Sequence, residues 1–195
     1  MNKTYLLKDI ADISLGYPFR GKIEEASEGI PVIQPKDTAV ESGIDFDQCT
    51  ITTTPNNAEE YYLQDQDILF PPRGSVNYAS VFHQSETKRP YIASPNFFVI
   101  HVHDTAALPQ FVAWQLNQIV CQQYFESNAE GGSVKSIRRK TLEEVRITLP
   151  CITKQQTIIK LDKAQRREQQ LFASFIEQNK TIMNAIAQKL ISKDL

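Results

Sequence analysis

The chain is 195 residues long and 41% apolar, with ten Phe, seven Tyr and one Trp, enough core material to exclude general disorder. Its formal charge of −2 points to no partner, but residues 1–132 carry 8 Lys/Arg against 17 Asp/Glu, residues 133–167 carry 10 against 3, and residues 168–195 carry 3 of each. No apolar run nears the ~20 residues of a membrane span, the N-terminus is too acidic for a signal peptide, and Cys49, Cys121 and Cys151 lack a CxxC pair, so the chain reads as a soluble cytoplasmic protein with reduced thiols.

In chain order, residues 6–15 place Leu6, Leu7, Ile10 and Ile13 at helical spacing and predict a short amphipathic helix stopped by Gly16. Strands are expected over Pro31–Gln34 and within the β-branched run 49–54. Two more are expected over Gln66–Phe70 and Val76–Phe82, joined by a Pro-Pro-Arg-Gly-Ser turn, and a fifth over Phe97–His103. One helix should follow, capped by Asp104 or Thr105, with Leu108, Phe111, Val112, Leu116, Ile119 and Val120 on its apolar face. Thr141–Glu144 has capping-box spacing, and Val145–Leu149 reads as a strand ending at Pro150. The pattern to this point is α+β: a globular domain, 1–150, of short mixed strands and a few helices.

The segment 151–195 differs. Thr153–Gln156 is a second capping-box spacing, and no Pro or Gly follows before Lys193, so a helix of roughly 55 Å is expected. Ile158, Leu161, Leu171, Phe172, Phe175, Ile182, Ile186 and Leu190 form a heptad-like stripe along it, thinned at Gln165–Gln170. Such a stripe either folds back on its own domain or pairs with another chain; its length favours pairing, which makes these residues the expected interface.

Catalytic constellations are weak. His101 and His103 share one face of a predicted strand, but histidine at a strand end is commoner as a hydrogen-bonding residue than as a metal ligand, and no metal is expected. Asp67 with Glu86 and Lys88 has the spacing of a metal-dependent nuclease, in a stretch that reads as a turn. Ser75 and Ser133 follow glycines without a nucleophile elbow, and no Gly-rich nucleotide or methyl-donor loop is present.

Binding constellations are stronger. A diglycine precedes Lys135, Arg138, Arg139 and Lys140, a combination suited to phosphates. Arg73, Ser75, Asn77 and Tyr78 lie on one turn and include the residue types that read base edges. Arg20 and Lys22, then Gln34 and Lys36, put further cations and an amide on loops, whereas the acidic stretch 41–67 should face away from DNA.

Taken together these stretches resemble one half of the specificity subunit of type I restriction–modification systems. The likeness rests on Leu7–Ile13 with Gly16-Tyr-Pro-Phe, on Gly29-Ile-Pro-Val-Ile, on Asp67-Ile-Leu-Phe-Pro-Pro-Arg-Gly-Ser, and on Gly132–Ile137 with Leu142–Pro150 and Lys154–Leu161. The family usually has Glu before the Gln pair; here Lys154 stands there. The resemblance implies a target-recognition domain followed by a conserved coiled-coil-type helix. The full-length subunit has two of each, so the chain would be a half-subunit that homodimerises through antiparallel helices to read a two-fold, bipartite site in double-stranded DNA. It also implies a non-catalytic chain without a cofactor of its own. Methyltransferase subunits would bring S-adenosylmethionine, and a translocating nuclease subunit would be a further partner. The alternatives are an interaction protein that pairs through its helix without a DNA role, and the nuclease of Asp67, Glu86 and Lys88.

Overall fold

The computed structural model describes residues 2–40, 43–74, 77–87, 89–132 and 135–192. The chain divides into two compact units, Met1–Ile159 and Lys160–Leu195.

The first unit opens differently from the expectation. Residues 6–15 are not a helix: strand β1 (Lys3–Leu6) runs into a 3-10 turn at Leu7–Asp9 and then into strand β2 (Ala11–Leu15). The turn is closed by Ile10 N–H donating to Leu7 O at 3.1 Å, and the Asp9 carboxylate accepts Leu6 N–H at 3.3 Å. Leu7, Ile10 and Ile13 are all buried, so the helical spacing arose from a turn feeding a strand whose inward residues alternate. Gly16 is also not a helix stop. A Cβ there would lie 2.1 Å from Ser94 O, and the close approach lets Tyr17 N–H reach Ala93 O at 2.8 Å.

Further along are β3 (Ile30–Ile33), the short pair β4 (Thr38–Ala39) and β5 (Gly43–Ile44), β6 (Thr50–Thr52), β7 (Ile68–Phe70), β8 (Ser80–Val81), β9 (Ile92–Ala93) and β10 (Phe98–Val102). The central antiparallel sheet has the order β2-β10-β7-β8, with Ile100 opposite both Ile13 and Ile68. A second sheet, β6-β3-β9, pairs β3 antiparallel to β6 and parallel to β9. The expected strands at 31–34, 49–54, 66–70 and 97–103 are therefore present in shorter form, and β8 keeps only the end of the strand expected over 76–82.

The helix expected after β10 is two: α1 (Pro109–Leu116) and α2 (Ile119–Asn128). Leu108, not Asp104 or Thr105, precedes α1, with Pro109 preset for its first turn; Asp104 instead accepts Ala106 N–H in the turn before. Asn117 makes the break, its side chain accepting Ala79 N–H at 2.7 Å and donating to Ala79 O at 2.9 Å. The break shifts the helical phase, leaving Ile119 and Val120 exposed rather than on the buried face.

One face of the central sheet, carrying Ile13, Ile68, Phe70 and Ile100, packs on Phe111, Leu116 and Phe125 of these helices. The other face puts Leu69 with Ile33, Phe82, Tyr91 and Phe97 in a second cluster.

Next come α3 (Arg139–Glu143), β11 (Arg146–Leu149), which pairs antiparallel with β1, and α4 (Ile152–Ile191). Thr141 and Thr153 both sit inside helices, so neither capping box forms. At the start of α4, Cys151 O takes the Lys154 and Gln155 amides at 2.9 and 3.2 Å. Gln155 is wholly buried: its Oε1 accepts Leu108 N–H at 3.0 Å, and its Nε2 donates to Ala106 O at 2.7 Å and Pro150 O at 2.8 Å. Ile158 packs on the main core rather than standing in a free stripe.

From Lys160 onward the second unit is helical, with an Arg166–Asp162 ion pair at 2.7 Å one turn apart. Leu161, Leu171, Phe172, Phe175, Ile182, Ile186 and Leu190 are exposed, joined by Ile176 and Met183, which the heptad reading did not include. At about 100° per residue these side chains cover an arc of about 140°.

Candidate nucleic-acid interface

The loop between β7 and β8 is built to be rigid. Asn77 Nδ2 donates to Pro71 O at 2.8 Å, closing its neck, and Gln122 donates to Asn77 O at 3.1 Å. At the tip, Arg73 is exposed and Gly74 has a positive φ of 128°, a conformation that favours glycine. Arg73 forms a β-bridge with Ser136, and Ile137 N–H donates to Pro72 O at 2.8 Å. Ser136 and Glu130 exchange a second pair of backbone bonds at 2.8 and 3.0 Å. The arginine turn and the glycine-led basic segment thus run side by side. A groove of about 240 Å³ adds the segment after β3: Pro35, Thr38 and Val40 face Pro71, Arg73 and Tyr78.

The structure separates the predicted residues. Arg73 and Tyr78 line the groove, and Lys135 lies next to the bridging Ser136. Asn77 spends its amide on loop closure. Gln34 and Lys36 point to Thr50 Oγ1 at 3.0 and 3.3 Å, and Lys36 also pairs with the buried Asp37 at 3.8 Å. Burial pushes the Asp37 carboxyl above its ordinary pKa, against the Gln34 amide hydrogen bond and the Lys36 charge. Arg20 and Lys22 are exposed on a segment tied to the second sheet by Tyr17 N–H to Ala93 O and Ala26 N–H to Ile51 O, and they do not line the groove. Ser75 lies outside the described residues, as do Ser133 and Lys88.

The basic cluster is less naked than its sequence suggests. Arg138 pairs with Glu130, Arg139 with Glu143 at 2.7 Å, Lys140 with Glu144 at 3.9 Å, and Lys135 with Glu126 at 4.0 Å. Exposed pairs of this kind contribute about 0–1 kcal/mol each. The Arg139 and Lys140 pairs are visible in sequence as i,i+4 spacings, whereas Glu126 and Glu130 reach the cluster only through the fold.

The nuclease reading loses its carboxylate. Asp67 is buried, with Oδ2 accepting Gln64 N–H at 2.8 Å and Oδ1 bonded to His101 Nδ1 at 3.0 Å. Burial raises its pKa despite both hydrogen bonds. Among the described residues no group of three His, Cys, Asp or Glu could hold a metal ion. Cys49 and Cys121 are buried, which pushes their thiols up to about 12 and about 11; Cys151 is exposed.

Residues 2–190 match the family model described as the type I restriction modification DNA specificity domain. No curated protein matches the chain. Among solved structures, it is similar to the S subunit of a type I restriction-modification system from M. genitalium, with 16% identity and a TM-score of 0.62 over 100% of this chain and 46% of that one. A structure described as underlying complex assembly and conformational transition of the type I R-M system gives 18% identity and a TM-score of 0.61, covering 87% of this chain and 40% of that one. The HsdS subunit from Thermoanaerobacter tengcongensis gives 16% and 0.55, covering 86% and 37%. At these identities the likeness is one of fold, and the chain spans less than half the length of each.

Proposed function

Because the chain belongs to the type I restriction modification DNA specificity domain family, we propose that it reads double-stranded DNA for a methyltransferase complex and performs no chemistry itself. The observation that carries this reading is the convergence of three loops, 35–40, 71–78 and 130–137, on one groove with Arg73 at its centre. Residues 1–150 are the recognition domain on this reading, and 151–195 the spacer helix. No helix among the described residues is long and apolar enough to cross a membrane, and the protein works in the cytoplasm, where the DNA is.

The apolar face of α4 supports a second copy as partner. Ten exposed apolar side chains, from Leu161 to Ile191, require a covering surface. An antiparallel pair would set two recognition domains at a fixed separation and so read two half-sites across a gap. An arc of about 140° is wider than the seam of a two-stranded coiled coil. The remainder suits a helix from a methyltransferase subunit, which would bring S-adenosylmethionine; a translocating nuclease subunit would join the same assembly.

Selection from a pool of random duplexes by the purified chain tests the reading. Enrichment of two short half-sites at constant spacing is expected; no enrichment overturns it. The glutamate pairing of all four cluster cations favours one competitor, a protein that pairs only through its helix. That protein would show no salt-dependent DNA affinity.

A further inference from the structure

Resting on the DNA-reading proposal, we infer that the Arg73–Gly74 turn and the adjoining 131–136 segment form a clamp for one backbone phosphate. Arg73 would thus position the duplex without reading sequence.

Three observations lead there. Arg73 is exposed and, among the described residues, faces no carboxylate, unlike Lys135, Arg138, Arg139 and Lys140, which each have a glutamate. Its backbone is held on both sides, by the Ser136 bridge and by Ile137 N–H on Pro72 O, so the guanidinium stands on a fixed base. Glycines with positive φ lie in both strands of the junction, Gly74 at 128° and Gly131 at 116°, and a Cβ at Gly132 would meet open space. Glycine backbone open to solvent beside a guanidinium and the Lys135 ammonium is the chemistry that accepts a phosphodiester oxygen. A base edge is met instead by side chains of defined shape, and the groove supplies these on other positions, at Val40, Pro35 and Tyr78.

The test compares the wild type with Arg73→Ala, Arg73→Lys and Tyr78→Ala. Anisotropy titrations use the selected duplex and an unrelated duplex at several salt concentrations, and selection from random duplexes is repeated on each variant. Thermal midpoints confirm that each variant folds. For Arg73→Ala the expected result is about the same fold-loss on both duplexes and a log–log salt slope shallower by about 0.9, with the selected consensus unchanged. Arg73→Lys should keep the slope and the consensus, since a phosphate needs only the charge. Tyr78→Ala should alter the consensus. If Arg73→Ala weakens only the selected duplex, or relaxes one position of the consensus, Arg73 reads a base and the clamp is overturned. An unchanged slope overturns it as well. A wild type without DNA affinity removes the functional reading itself, an outcome separate from these.

Discussion

Leu108, which leads into α1, donates its backbone N–H to Oε1 of Gln155, on the first turn of α4, at 3.0 Å. The same side chain donates to Ala106 O and Pro150 O, so one buried amide fixes the start of the long helix to the turn before α1. Gln155→Ala would strand one donor and two acceptors, each a buried polar group costing about 1–3 kcal/mol when unpaired. A loss of about 2–4 kcal/mol is expected in urea unfolding. Gln155→Glu should cost more at neutral pH, because a carboxylate would face two carbonyl oxygens.

The pair Asp67–His101 sets a pH dependence. Burial raises the Asp67 pKa, so the native state holds its proton more tightly than the unfolded chain. The sign follows from linkage: stability from this group is greatest below the ordinary carboxylate pKa of 3.8 and falls as pH rises through the raised native value. Asp67→Asn keeps both hydrogen bonds, its oxygen accepting Gln64 N–H and its amide donating to a His101 ring that carries its hydrogen on Nε2. The thermal midpoint of the Asn variant should therefore gain on the wild type as pH rises from about 4, then level off. Asp37 is raised in both proteins and cancels in the difference. A gap that narrows with rising pH would contradict this.

Releasing a cation should strengthen DNA binding. Glu130→Gln removes the partner of Arg138 and one negative charge beside the groove loops. With an exposed pair contributing up to about 1 kcal/mol, affinity should rise about threefold at low salt and the salt slope should steepen. Glu143→Gln, which frees Arg139, should act in the same direction.

The helix face can be broken without breaking the helix. Phe175 and Ile182 are exposed, so Phe175→Asp or Ile182→Asp removes nothing the chain itself packs on them. In a dimer built on this face each would bury an unpaired charge, costing several kcal/mol. Sedimentation should move from dimer to monomer at micromolar concentration while helical circular dichroism stays constant. An unchanged sedimentation coefficient would place these side chains outside the interface.

The sequence by itself determined the elements whose signal is local. β10, a run of apolar residues, and β3, bounded by Gly29 and Pro35, could be read from composition and punctuation, and α4 from the lack of any Pro or Gly. Residues 6–15 could not, because their spacing suits a helix until β11 and β10 supply strand partners. The break at Asn117 likewise depends on Ala79, far away in the chain. The same division holds at the site. Residue type was enough to nominate Arg73, Tyr78 and the 135–140 cations. Only the tertiary structure joined Arg73 to Ser136, turned Gln34 and Asn77 inward, and set Glu126 and Glu130 against Lys135 and Arg138. Helix periodicity and turn chemistry act over a few residues, whereas the neighbours of a loop are chosen by strand pairing and core packing between segments that no local rule connects.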